Sequence, residues 1–155
     1  MRWRFFLPCA AGVEALLCDE IGRLLPGVPV QARRGGVSLN GDAAALMALN
    51  LGSRLAQRVL IEVAGADYRH EDDLYAMAHR VDWATWITPK HTLRVDTTAQ
   101  RSPLRSLNFA ALRIKDAVCD QLREQTGERP NVDTRAPDLQ LMLHLGEQRA
   151  TLYVD

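Results

Sequence analysis

The first 66 residues switch between the hydrophobic period of strands and that of helices. A short aromatic run over residues 2–7 is typical of a strand, and the apolar positions of residues 13–25 recur at helical spacing. Two strand-like runs follow, joined through Gly35 and Gly36, and a glycine pair at that place favours a tight hairpin turn. This pattern predicts a strand, a helix and a β-hairpin in that order.

A second helix and a fourth strand complete this half of the chain. Asp42 has the position of an N-cap before an apolar helical run, and residues 58–64 return to strand alternation. The resulting order, β-α-β-β-α-β, is the split arrangement of a ferredoxin-like domain. We place that domain at residues 1–66.

The second half, residues 67–155, predicts an α/β domain, so the fold class is α+β. The polar stretch GADYRHEDD leads into a helix and then into a strand over residues 92–98. Ser102 and Pro103 fit the N-cap and first position of a long helix, and Gly127 lies just past its end. Two alternating runs follow, with inward positions at Leu139, Leu141, Leu143, Leu145, Ala150, Leu152 and Val154. Because the last run reaches the final residue, we interpret the chain as truncated.

Composition limits the class of protein. The 155 residues are 47% hydrophobic and 25% charged, which is ordinary for a globular domain. No apolar run is long enough to cross a bilayer, and Arg4 and Pro8 interrupt any signal-peptide core. Three dispersed cysteines and four scattered histidines indicate neither a disulfide framework nor a metal site. We therefore expect a soluble, cytoplasmic protein that binds no membrane.

The charges are balanced overall, at 19 basic and 19 acidic residues, but they are unevenly placed. Residues 90–115 hold six basic side chains and one acidic one, whereas residues 67–82 hold five acids and two arginines. A local basic patch is the electrostatic signature of nucleic-acid binding. The distribution therefore favours a dipolar protein whose basic side meets a polyanion.

The long helix carries the centre of this basic region. On a helical wheel the expected core stripe is Leu104, Leu107, Ala111, Ile114, Val118 and Leu122. Arg105, Phe109 and Arg113 are four residues apart on the opposite side, where a ring can stack on an unpaired base while the guanidinium groups bind phosphates. For Phe109 alone we favour packing under a neighbouring segment, such as Trp83 or Trp86.

Signatures of catalysis are missing from the sequence. Neither a glycine-rich dinucleotide loop after a strand nor a P-loop is present, and no serine lies in a nucleophile elbow. No pair of acids sits beside a plausible nucleophile. We therefore expect no catalytic residue and no cofactor site in this chain.

The run RSLNFAALRIKDAVCDQLREQTGERPNVDTRAPDLQLMLHL resembles the THUMP domain, an RNA-binding module of RNA-modifying enzymes. The resemblance depends mostly on KDA at residues 115–117 and RPNVD at residues 129–133. The opening FFLPCAAGVEALLCDEIGRL, the hairpin QARRGGVSLNGD and the segment LNLGSRLAQRVLIEV are similar to the N-terminal part of bacterial large-subunit rRNA methyltransferases of the RlmL type. Those enzymes modify the exocyclic amine of a guanine.

This resemblance covers essentially the whole chain and implies an RNA-docking module. In the family a methyltransferase domain that uses S-adenosylmethionine follows, and its motifs have no counterpart here. The implied partners are RNA, with large-subunit rRNA favoured over tRNA, and the C-terminal methyltransferase domain of the same polypeptide. The candidate RNA-binding residues are Arg101, Arg105, Asn108, Phe109, Arg113, Lys115, Arg129 and Asn131.

Two other functions stay open at this point. The THUMP domain could belong to a tRNA-modifying enzyme, that is, a methyltransferase, a thiouridine synthase or a deaminase. A ferredoxin-like regulatory domain that binds a metabolite and dimerises is the third possibility, and the basic patch argues against it.

Overall fold

The computed structural model describes residues 1–128 and 137–155, together with the backbone of Asn131–Val132. The chain divides into two compact units, Met1–Glu62 with Asp155, and Val63–Val154. Its elements are β1 (Trp3–Pro8), α1 (Glu14–Leu24), β2 (Val30–Arg33), β3 (Gly36–Gly41), α2 (Ala43–Gly52), β4 (Leu60–Asp67), α3 (Glu71–His79), a 3₁₀ turn (Trp83–Thr85), β5 (Thr92–Ala99), α4 (Leu107–Thr126), β6 (Asn131–Val132), β7 (Leu139–Leu145) and β8 (Arg149–Val154). None of the helices in the described ranges combines the length and apolar character needed to cross a membrane.

The first unit has the predicted β-α-β-β-α-β order, and its strands lie side by side as β2-β3-β1-β4. Strand β1 is central and antiparallel to both neighbours, with Phe5 opposite Leu39 on one side and Ile61 on the other. Those three side chains are buried with Leu17 and Ile21 of α1. Burial of one face of the sheet under its helices therefore builds this core, and the α+β fold class is confirmed.

The hairpin of the first unit turns one residue earlier than the sequence suggested. Arg33 pairs with Gly36, so the two turn residues are Arg34 and Gly35, and Gly35 has φ +78°. Gly36 belongs to β3, where a Cβ would lie 2.5 Å from the Leu7 carbonyl oxygen. The two glycines thus serve different needs, a left-handed turn and a close approach of strands.

In the second unit four strands lie side by side in the order β8-β7-β5-β6. Strand β5 runs parallel to β6 and β7, and β7 is antiparallel to β8. Helix α4 packs on β5, and α3 packs along α4. The predicted inward positions of the last two strands are all buried: Leu139, Leu141, Leu143, Leu145, Ala150, Leu152 and Val154.

Helix α4 begins later than predicted. The Ser106 hydroxyl, not that of Ser102, accepts the Phe109 N–H at 3.1 Å, so Ser106 is the N-cap and the helix starts at Leu107. Arg105 consequently lies before the helix. The predicted end is confirmed, because Gly127 follows Thr126 in the left-handed conformation with φ +84°.

The buried stripe of α4 differs from the predicted one near the start of the helix. Ile114, Val118 and Leu122 are buried as predicted, and Ala110, Ala117 and Gln121 join them. Leu107 is exposed and Ala111 is only partly buried, so the predicted stripe was wrong at its N-terminal end. Residues 104–106 are not helical, so Leu104 cannot belong to a stripe that runs along the helix.

The position of the cap can be checked by substitution. We expect Ser106→Ala to lower the free energy of unfolding by about 1 kcal/mol, because the Phe109 N–H loses its acceptor. Ser106→Asp should keep the stability, since aspartate is an equally good cap and its charge faces the positive end of the helix. Denaturant melts of both variants make the comparison, and equal losses in the two would contradict the cap.

Candidate nucleic-acid interface

The loop between β5 and α4 presents two arginines at the surface. We call residues 100–106 the basic loop, since it carries Arg101 and Arg105. Both side chains are exposed, and neither forms an ion pair with any described residue. Their positive charge is therefore available to a polyanion.

Backbone and side-chain hydrogen bonds hold the basic loop at its start. The Gln100 N–H donates to the Leu145 carbonyl oxygen at 2.9 Å, and the Leu104 N–H donates to Ser102 Oγ at 3.1 Å. The Tyr68 hydroxyl lies 2.7 Å from the same Ser102 Oγ. The loop is thus fixed on both sides of Arg101.

Arg101 itself adopts a conformation that side chains disfavour. Its φ is +56°, and it is the one non-glycine residue with positive φ in the described part of the chain. A left-handed conformation costs a residue other than glycine roughly 1–2 kcal/mol. Strain of this size persists only where surrounding contacts over-determine the backbone.

The first turns of α4 expose apolar surface beside the basic loop. Phe109 and Leu112 each keep 48% of their surface in solvent, and Leu107 and Asn108 are exposed as well. With about half of its surface in solvent, Phe109 is not buried under a neighbouring segment as we favoured. Trp83 is fully buried and uses its Nε1–H on the Ala78 carbonyl at 2.8 Å.

Arg113 is engaged within the protein. Its guanidinium lies 3.2 Å from an Asp72 carboxylate oxygen and 3.7 Å from one of Asp116, and 4.5 Å above the Tyr75 ring. Only 25% of the side chain is exposed. The Tyr75 hydroxyl donates to Asp120 at 2.7 Å, and this bond raises the pKa of Tyr75. Arg113 therefore joins α3 to α4. Phe109 and Arg113 lie four residues apart on the helix as expected, whereas the expected helical position of Arg105 one turn before Phe109 was wrong.

The acids of residues 67–82 do not all lie apart from the basic segment. Asp72 neutralises Arg113, and Asp73 accepts the N–H groups of Arg69 and His70, which lowers the pKa of its carboxyl group. Arg94 pairs with Asp96 at 3.0 Å. Of the six basic residues between 90 and 115, the four with no ion pair to the described chain are Lys90, Arg101, Arg105 and Lys115.

The remaining candidates divide into two groups. Lys115 is half-buried on α4, in keeping with a buried stem and a solvated amine. Arg129 lies outside the described residues, and for Asn131 only the backbone is described, in β6 opposite Thr92. The RNA-binding role of the candidate residues stays a prediction.

Sequence reasoning missed Tyr68, which lay in a stretch interpreted as a polar link. Strand β4 extends to Asp67, three residues beyond the predicted end, and Tyr68 is 3% exposed. A tyrosine between Asp67 and Arg69 gave little reason to expect burial. Tyr68 lies two positions after Ala66, on the same face in the strand alternation. This alternation was the signal from which its burial could have been predicted. No grouping of three metal-ligating side chains occurs among the described residues.

Comparison with known proteins identifies the class. A model of the THUMP domain matches residues 68–155, and a model of the RlmL ferredoxin-like domain matches residues 4–60. The first match covers more than half of the chain, so the chain belongs to the THUMP-domain family, as the resemblance implied.

The similar proteins are much longer than this chain. The ribosomal RNA large subunit methyltransferase K/L of Syntrophotalea carbinolica is 41% identical over 98% of this chain and 21% of the relative. The protein of the same name from Pseudomonas entomophila is 36% identical over 99% of this chain and 21% of the relative. The chain thus spans about a fifth of the length of these relatives.

A solved structure supports the fold. The crystal structure of a predicted N6-adenine-specific DNA methylase from Listeria monocytogenes superposes with a TM-score of 0.88, covering 100% of this chain and 40% of that one. The two are 22% identical, so the likeness concerns the fold.

Arg113 is engaged in contacts within the protein, whereas Arg105 has no ion pair with a described residue, so their substitution should affect the free energy of unfolding differently. We expect Arg113→Ala to lower the free energy of unfolding by about 1–2 kcal/mol, because it leaves Asp72 and Asp116 without their cation and removes the contact with Tyr75. Arg105→Ala should change it by less than about 0.5 kcal/mol. Urea melts of the two variants decide the matter, and equal effects would mean that the Arg113 contacts contribute nothing.

The strain at Arg101 gives an effect of opposite sign. We expect Arg101→Gly to raise the free energy of unfolding by about 0.5–1 kcal/mol, since glycine accepts a positive φ and the relief exceeds its entropic cost. Arg105→Gly, at a residue with ordinary φ, should not stabilise the protein. A loss of stability in both variants would show that Arg101 is not strained.

Proposed function

We propose that this chain is an RNA-docking module that presents ribosomal RNA to a methyltransferase domain of a longer polypeptide. The observation that carries the proposal is the basic loop of a THUMP-family domain. There Arg101 and Arg105 stand exposed near Phe109, with no acidic partner among the described residues. The relatives of the same N-terminal region are named as large-subunit rRNA methyltransferases, and this supports the choice of RNA.

The surface has the chemistry that a flexible RNA strand requires. Guanidinium groups bind phosphate oxygens in a planar fork, and they attract the strand whatever its sequence. The exposed Phe109 ring offers a stacking face to an unpaired base. Phosphate contacts would set the register of the RNA, and its shape would provide selectivity.

Methyl transfer belongs, in this proposal, to residues outside the chain. The donor that we expect there is S-adenosylmethionine, and the work of the present residues is to bind and orient the RNA. A cytoplasmic location follows from the proposal, because bacterial ribosomal RNA is found there.

The test is fluorescence anisotropy of labelled RNA at several salt concentrations. With about four phosphate contacts, log K against log[salt] should fall with a slope near −3 for single-stranded RNA. The double variant Arg101→Glu/Arg105→Glu should weaken binding and make that slope shallower by about 1.4, since each lost contact removes about 0.7.

The matched control is Arg23→Glu/Arg54→Glu, which changes the net charge equally at two exposed positions of the first unit. It should bind RNA nearly as the unmodified chain does. Equal effects of the two double variants would contradict the placement of the interface. A tRNA and a DNA duplex are titrated alongside an rRNA hairpin, and a preference for tRNA would favour a tRNA-modifying parent over the rRNA enzyme.

A further inference from the structure

We propose that Tyr68 is a positioning residue for RNA docking, and that its hydroxyl fixes the conformation in which Arg101 meets the RNA. The inference rests on the proposed function, because it assigns a role in that same interface. It does not require Tyr68 to touch RNA, and its 3% exposure leaves little of it accessible.

The backbone of Tyr68 is held by a hydrogen bond, and this fixes the point from which its side chain extends. Its N–H donates to the Gln148 carbonyl oxygen at 3.0 Å, in the turn between β7 and β8. The side chain is buried, so the phenol has a fixed origin and a fixed direction. A hydroxyl held in this way can set the place of whatever it bonds.

The hydroxyl joins two segments that are distant in sequence. It lies within hydrogen-bond distance of the Gly146 carbonyl oxygen and of Ser102 Oγ. A phenol has one proton and a carbonyl can only accept, so Tyr68 donates to Gly146 and accepts from Ser102. Ser102 Oγ still accepts the Leu104 N–H, and the basic loop is thereby tied to the β7–β8 turn.

Arg101 lies between two of these ties. Gln100 before it is bonded to Leu145, and Ser102 after it is bonded to Tyr68. The positive φ of Arg101 is therefore enforced from both sides. Without the Tyr68 bond the loop gains ordinary conformations, and binding must then restore the left-handed one.

A basic loop that is already ordered in the free protein favours RNA affinity, because binding then loses less conformational entropy. Immobilising a rotamer-rich side chain and its loop at an interface opposes binding. A loop that already holds Arg101 in place avoids part of that cost. Backbone strain clusters at functional sites, and the position of the strained Arg101 on an exposed cationic surface is consistent with such a site.

The test compares Tyr68→Phe with Tyr75→Phe in the RNA titration described above. Each change removes one hydroxyl and keeps the ring, and Tyr75 bonds Asp120 instead of the basic loop. We expect Tyr68→Phe to weaken RNA binding about five- to tenfold, the size that one or two ordering hydrogen bonds produce. Tyr75→Phe should leave the RNA affinity unchanged.

A double-mutant cycle separates positioning from general stability. If Tyr68 acts through Arg101, Tyr68→Phe should cost almost no affinity in an Arg101→Ala background, because the guanidinium that it positions is already gone. Ser102→Ala removes the same tie from the loop side and should reproduce the effect of Tyr68→Phe. It serves in its place if the tyrosine variant does not fold.

The outcomes distinguish this inference from the function on which it rests. If Arg101→Ala weakens RNA binding while Tyr68→Phe and Ser102→Ala bind as the unmodified chain does, docking stands and the positioning role is overturned. Fully additive effects in the cycle overturn it as well. If the unmodified chain shows no salt-dependent RNA binding, the proposed function itself fails.

Discussion

The parallel pairing of β5 with β7 is the constraint on which the second unit depends. Two parallel strands need a crossover, and α4 provides it by packing its Ile114, Val118 and Leu122 face on the sheet. In register, Ala99 at the end of β5 lies opposite Leu145 at the end of β7. The loop into α4 therefore begins at the carboxyl edge of the sheet, which is where open α/β sheets commonly bind ligands.

This geometry decides which charges are free. Helix α3 runs along α4 and brings Asp72 to Arg113, while the Asp73 carboxylate is occupied at the helix N-terminus. Neither Arg101 nor Arg105 in the basic loop forms an ion pair with a described residue, so both keep their charge exposed. A neutral composition thus becomes a localised positive surface through packing.

Local patterns in the sequence predicted the fold well where the signal was local. Alternation over Leu139–Leu145 and the glycine at 127 needed no knowledge of distant residues, and both predictions were confirmed. Ser102 and Ser106 both precede helical residues, and Pro103 made the first look like the cap. Ser102 instead forms a hydrogen bond with Tyr68, which lies 34 residues away, so no local pattern reveals this pairing.

The same limit applies to the candidate site. The concentration of basic residues before and within α4 was visible in the sequence, but the pairing of Arg113 depends on Asp72, 41 residues earlier. The helical wheel already placed Phe109 opposite the core stripe, and packing under Trp83 or Trp86 was favoured all the same; its ring keeps 48% of its surface in solvent. Positions were therefore predictable from the sequence, whereas partners were not.

The turn between β7 and β8 has a consequence for how this family diversifies. Surface turns usually tolerate insertions and deletions. This one supplies the Gly146 and Gln148 carbonyl groups to a single tyrosine, so a change in its length would displace the tie that holds the basic loop. A length difference at residues 146–148 between two homologues would therefore alter the proposed RNA-facing surface, although no basic residue has changed.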